Sequence, residues 1–210
     1  MSITNYGELK TAIANWLDQS DLTSRIPEFI KLAEDRIAQT LRIRAMEASA
    51  DVTVSAQTAA LPTSFLAQRR LYLSHDRKRL DYFPPEDFWD RYGASETGAP
   101  AIYTIEGDNY VFGPAPDTSY TAKSLYYKRL TALSGDTDTN WIFTNAVGLL
   151  LYGSLLEACL FLEDEAGTLK YSTLFDDLAE RVKSMDKMDR FPAGSLVMRS
   201  DVRSLSESST

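Results

Sequence analysis

The sequence predicts an α+β protein, mainly an α-helical bundle formed by the N- and C-terminal helices, with an inserted β-rich lobe. Apolar residues recur at helical spacing up to about residue 44. From about Ala45 to Leu130 the period shortens to two, and Gly and Pro cut the chain into short pieces; after Gly135 the helical period returns. The divisions expected from this pattern are 1–44 for an N-terminal helical hairpin, 45–134 for the β-rich lobe, 135–190 for the C-terminal helices and 191–210 for a flexible C-terminal arm.

The first helix is expected from about residue 5 to 18, because Leu9, Ile13, Trp16 and Leu17 follow an Asn5 to Glu8 pair that resembles a capping box. Ser20 to Thr23 reads as a turn. A second helix follows, with Pro27 in its permitted first turn and an apolar stripe of Ile26, Phe29, Ile30, Ala33, Ile37 and Leu41. In the lobe, Val52 and Val54 alternate with polar residues, as do Leu71 and Leu73 around Tyr72. Tight turns are expected at Asp76 to Lys78 and at Gly107 to Asn109, and a short helix after Pro84 and Pro85. Trp141 to Leu162 then reads as one long apolar helix. A second, from about Asp164 to Met188, is expected to pack through Leu169, Leu174, Leu178 and Val182, with Gly167 softening its start. The last twenty residues follow Phe191 and Pro192, are rich in Ser and carry Arg199 and Arg203; they read as an arm that orders on a partner.

Composition narrows the function. With 210 residues, 44% hydrophobic and 25% charged, the chain can bury a real core. A net charge of -8 argues against a surface built to neutralise nucleic-acid phosphates. Cys159 is the single cysteine, so there is neither an internal disulfide nor a thiolate cluster. The start of the chain lacks a signal peptide's basic and apolar run, and a product made in the cytosol is expected. The Trp141 to Leu162 stretch has the length of a bilayer span, but Asn145, Ser154 and Glu157 interrupt it and no Lys or Arg lies close enough to orient it. A helix buried in a bundle or between subunits is the reading adopted, with no membrane partner.

No catalytic, cofactor-binding or metal-binding residue emerges. His75, the lone histidine, sits beside Asp76, Arg77, Lys78 and Arg79 in what reads as a solvated turn. Cys159, between Ala158 and Leu160, reads as a small core residue. Glu163, Asp164 and Glu165, and the pair Asp176 and Asp177, are consecutive, so helical geometry splays them about 100° apart and away from any common ion. Arg69, Arg70, Arg77, Lys78 and Arg79 form the one basic concentration; such a hairpin could meet DNA or an acidic protein rim, although an ordinary charged surface is the simpler reading. Aromatic residues from Tyr82 through Phe88, Trp89, Tyr92, Tyr103, Tyr110 and Phe112 to Tyr127 crowd the lobe and fit either a β core or an interface.

The ordered residues resemble the adaptor proteins of the head-to-tail connector in tailed bacteriophages. The resemblance runs from Tyr6, Leu9 and Trp16-Leu17 through Ser20-Asp21-Leu22, Ile26-Pro27, Ala33-Glu34, Arg36, Leu41 to Arg44 and Met46-Glu47. It continues in Leu61-Pro62, Arg70 to Leu73, Pro100, Tyr103 to Gly107, Pro114-Ala115-Pro116 and Tyr126-Tyr127, and ends in Asn140-Trp141 and Tyr152 to Ala158. Where a proline opening the long helix is expected, this chain has Ala146-Val147-Gly148. The resemblance implies a non-enzymatic ring subunit in the neck of the virion, made in the host cytoplasm. Twelve copies would dock beneath a portal protein, extend its channel for passing double-stranded DNA without binding it specifically, and form the platform for tail tube or nozzle proteins. The rival reading is a virion-associated cell-wall hydrolase using Glu157 and Glu163, which lie on nearly opposite helix faces.

Overall fold

Helix α1 (Tyr6–Leu17) starts where Asn5 holds the backbone extended and its side-chain oxygen accepts the Glu8 amide at 2.9 Å. The reciprocal half of the box is shifted by one residue, since Glu8 Oε2 accepts from the Thr4 amide and hydroxyl at 2.7 and 2.8 Å. The computed structural model describes residues 3–91 and 96–190; the arm at 191–210, with Arg199 and Arg203, and Tyr92 lie outside them. Asp18 closes α1 in the left-handed region, and Ser20–Arg25 forms a 3₁₀ turn in place of the expected simple turn. Helix α2 (Ile26–Thr40) buries Ile26, Phe29, Ile30, Ala33 and Ile37, and Leu41 completes the stripe at its C-cap.

The middle segment forms two sheets. Strands β1 (Glu47–Val54), β2 (Thr58–Ala60), β3 (Phe65–Leu73) and β4 (Asp81–Tyr82) precede helix α3 (Pro85–Arg91). Strands β5 (Ile102–Glu106), β6 (Asn109–Gly113) and β7 (Tyr120–Lys128) follow it. One sheet has the order β1-β7-β3 and the other β2-β6-β5-β4, with β4 parallel to β5 and the remaining pairs antiparallel. The β5–β6 hairpin turns on Gly107 and Asp108, with Gly107 at φ +56°, a conformation that costs glycine nothing. At Asp76 to Lys78 the chain also reverses, yet only Tyr72 and Arg79 pair across it before the chain crosses to the other sheet. Val52, Val54, Leu71, Leu73, Tyr103, Tyr110 and Phe112 fill the space between the sheets. Phe88 of α3, wholly buried, covers Ile102 and Val111 on the outer face of the four-stranded sheet.

The C-terminal half departs from the expected single helix over 141–162. Asn140 caps a short helix, α4 (Trp141–Asn145), Ala146 leaves helical geometry at φ -157°, and α5 (Val147–Phe161) starts afresh. The break lets Ile142 and Phe143 reach the same core as Leu149, Leu150 and Leu155. Helix α5 touches α1, α2, α4 and the last helix, α6 (Glu165–Arg190), which accounts for its apolar residues on every side. Among the described residues no helix is long and apolar enough to cross a membrane.

The packing face of α6 differs from expectation in part, since Val182 is buried and Leu178 packs partly against the core as expected. Phe175, Ala179 and Val182 are buried, whereas Leu169 is 72% exposed and Leu174 also faces solvent. Gly167 has a packing reason, because a Cβ there would stand 2.6 Å from the Cys159 sulfur. Trp16, placed in the α1 stripe by its spacing, is 52% exposed and meets Tyr152 at the edge of the core, with ring centroids 6.2 Å apart.

Candidate interaction surfaces

The groups with reactive chemistry are held in structural or solvated roles. His75 faces solvent, with Nε2 at 3.5 Å from Asp76 Oδ2 and its ring beside that of Tyr120. Tyr120 is itself committed to Asp117, to which its hydroxyl donates at 2.6 Å. Cys159 is buried on α5, and burial, followed by the nearby Asp164 carboxylate, pushes its thiol pKa up, away from the reactive thiolate. Asp164 caps α6 by accepting the Gly167 amide at 3.1 Å, and Glu163 adopts the left-handed conformation in the α5–α6 turn. Among the described residues no group of three His, Cys, Asp or Glu side chains could hold a metal ion.

The two carboxylates of the hydrolase reading are separated in role. Glu157 accepts from Arg36 Nε at 2.8 Å and Nη2 at 2.6 Å, a pairing that joins α2 to α5. Glu163 lies past the end of α5 and is exposed in the turn.

The basic concentration is divided by the fold. Arg69 lies at 2.5 Å from Glu47 and over the Tyr127 ring, while Arg79 is loosely paired with Asp81 at 3.6 Å. Because β3 and β4 belong to different sheets, Arg69, Arg70 and Arg79 come together at a cleft between them, of about 360 Å³. The hairpin reading from sequence did not contain this cleft.

The aromatic crowd is split as well. Tyr103, Tyr110, Phe112 and Tyr126 are buried, and burial drives the Tyr110 phenol up to about 12 while its oxygen bonds Gln68 and Ser124 at 2.6 and 2.8 Å. Tyr82 and Trp89 stay exposed.

A surface missed from sequence lies on the helices. Tyr152 stacks on Tyr171 at 6.5 Å and contacts Trp16, so α1, α5 and α6 share an open aromatic edge. Along α6 the positions Tyr171, Leu174, Leu178, Arg181, Met185 and Met188 follow a three-four spacing on the flank of the buried face, and Met185 and Met188 are 64% and 75% exposed. This spacing is the one a second helix reads, and it was the available signal.

Several faces of the described residues are thus suited to contact. Residues 4–199 match the family of the SU10 adaptor protein. No curated protein matches the chain. The match takes in every helix and strand described above, and the chain belongs to the SU10 adaptor protein family.

Proposed function

We propose that this chain is the structural adaptor subunit of a phage head-to-tail connector. Copies form a ring that docks onto the portal, extends the DNA channel and presents the attachment platform for the tail. The observation that carries the reading is the family match over nearly the whole chain, from residue 4 to 199. A structural role leaves the protein without need of a catalytic centre, and the roles of His75, Cys159 and Glu157 are in keeping with one.

The ring is built by heterologous, head-to-tail contacts between the helical parts of neighbouring copies, twelve in number to match the portal. The open edge of Trp16, Tyr152 and Tyr171 and the exposed flank of α6 support that assignment, since an apolar helix surface at three-four spacing suits another helix. The lobe at 45–134 and the arm at 191–210 contact the layers above and below. A net charge of -8 suits a conduit through which DNA must slide without sticking. The finished protein resides in the neck of the virion.

The test is to mix the purified chain with an isolated portal ring and image the mixture by electron microscopy, with each component alone as control. A second ring stacked on the portal is the expected result and gives the copy number. Portal rings that remain bare across a range of salt concentrations would refute the docking assignment. Removal of residues 192–210 is expected to weaken docking and preserve the fold.

A further inference from the structure

The geometry points to the cleft between β3 and β4–β5 as a receptor for an acidic peptide segment of a protein partner. Arg69, Arg70 and Arg79 are among its lining residues, the exposed Tyr82 ring stands beside it, and no carboxylate is among the lining residues. Glu47 and Asp81 hold Arg69 and Arg79 by single contacts. Arg70 makes no side-chain ion pair or hydrogen bond among the described residues, and its five donors are open to a carboxylate. In a chain of net charge -8, a concavity lined by three arginines and no carboxylate, with Arg69 and Arg79 each paired outside the lining and Arg70 unpaired among the described residues, carries a local excess of positive charge, and a partner carboxylate is the complement.

The cleft favours a peptide over a nucleic acid. A duplex presents its phosphates on a convex rod, which cannot enter a concavity of about 360 Å³ between two sheet edges, whereas one or two side chains can. The exposed Tyr82 ring, in edge contact at 5.6 Å with the buried Tyr103 ring, supplies apolar surface for a side chain next to the acid. Burial drives the Tyr103 phenol up to about 12, so it remains neutral beside an arriving anion.

Recognition runs through side chains and not through strand addition. Edge strand β3 has register shifts between Phe65 and Ala67 and between Gln68 and Arg70, and the Gln68 side-chain amide donates to the Arg70 carbonyl at 2.6 Å. Such a bulged, partly capped edge is a poor template for a new strand. The adaptor reading is relevant here only in that it supplies protein neighbours; the cleft itself belongs to the single chain.

The experiment titrates the isotope-labelled full chain with an acetylated hexapeptide of alternating Glu and Tyr and follows amide resonances. Shifts confined to Gln68 to Leu71 and Arg79 to Tyr82 are expected, with affinity falling about tenfold as salt rises from about 50 to about 300 mM. The double variant Arg70→Ala, Arg79→Ala should weaken binding about tenfold with an unchanged melting temperature, and Arg70→Lys should recover part of it. The proposal is overturned if no shift occurs at about 1 mM peptide, if the shifts fall elsewhere, or if the double variant binds as well as the wild type. It is also overturned if a short DNA duplex moves the same amides at lower concentration. Because no portal is present, failure here leaves the adaptor reading standing.

Discussion

Gly153 sits on α5 where that helix crosses α2, and the substitution Gly153→Ala sets two opposing effects against each other. In a helix interior, Gly to Ala ordinarily stabilises by about 0.5–1 kcal/mol, because alanine loses less backbone entropy. Here a Cβ on residue 153 would lie 3.0 Å from the Ala33 Cβ and 3.4 Å from the Phe175 ring. Carbon atoms prefer roughly 3.5–4.0 Å, so α2 and α5 must separate by about 0.5–1 Å. Ala33 cannot rotate its Cβ away, and the crossing is tied on either side by Arg36 to Glu157 and by Phe29 against Phe161. Overpacking of this kind costs about 1–3 kcal/mol, so a net loss of about 1–2 kcal/mol is expected. For a chain of this size that lowers Tm by roughly 2–8 °C. Gly148→Ala is the internal control. Its added Cβ would meet the Leu178 Cδ2 at 2.8 Å, but that atom is the end of a half-buried, flexible side chain, and the net change should stay within about 0.5 kcal/mol. Urea denaturation monitored by circular dichroism measures both. A Gly153→Ala protein more stable than wild type by about 1 kcal/mol would refute the close-crossing argument.

On α6, Phe175→Ala should cost about 3–5 kcal/mol, while Leu169→Ala should change stability by less than about 0.5 kcal/mol; equal losses would mean the buried face is wrongly assigned. Glu157→Ala leaves Arg36 without its partner and should cost about 1–3 kcal/mol, less than a fully buried pair because the arginine is partly in water. A double-mutant cycle with Arg36→Ala measures the coupling, and zero coupling would contradict the pairing. Burial raises the pKa of Glu34, outweighing the attraction of Lys31, so the folded state binds a proton more tightly than the unfolded state does. Its contribution to stability is therefore lost as pH rises from the ordinary carboxylate range through the raised folded value. Glu34→Gln, whose amide oxygen can still accept the Leu133 amide, should gain relative to wild type as pH rises above the ordinary carboxylate range. A pH-independent difference in Tm would remove that reasoning.

The parts legible in the sequence are those where one local pattern has one structural solution. In α2 the apolar stripe is single, and all six of its residues are buried. The α1 cap and the Gly107 turn are similarly local, fixed by residues within a few positions of one another. On helix α6 the expected set of Leu169, Leu174, Leu178 and Val182 holds only for Val182 and partly for Leu178, and the choice of Phe175 and Ala179 over Leu169 and Leu174 belongs to α5, over which periodicity has no view. The break at Ala146 carries neither Pro nor Gly at the breaking residue, so nothing local announces it. The basic cleft depends on the parallel pairing of β4 with β5, a contact between segments separated by α3; from sequence, Arg69, Arg70 and Arg79 could be placed only beside the same turn.

The division of labour between α5 and α6 bears on why contact surfaces remain. Helix α5 is enclosed by α1, α2, α4 and α6, so it supplies the apolar centre of the helical core without help from the far flank of α6. The end of α6 is held by charge: Arg190 lies at 2.6 Å from Asp186 and 2.9 Å from Glu47 at the start of β1, and Asp186 accepts the Arg44 amide at 2.6 Å. This clamp ties the helical core to the three-stranded sheet through directional bonds, and its half-buried members keep a defined geometry better than exposed pairs do. The last turns are fixed by polar contacts, and Met185 and Met188 are left exposed. The same contacts set the position of β1, and through it the sheet that carries Arg69 and Arg70, relative to α6. The exposed flank of α6 and the cleft lined by Arg69, Arg70 and Arg79 are thereby linked through one set of contacts, which is in keeping with the adaptor role proposed above.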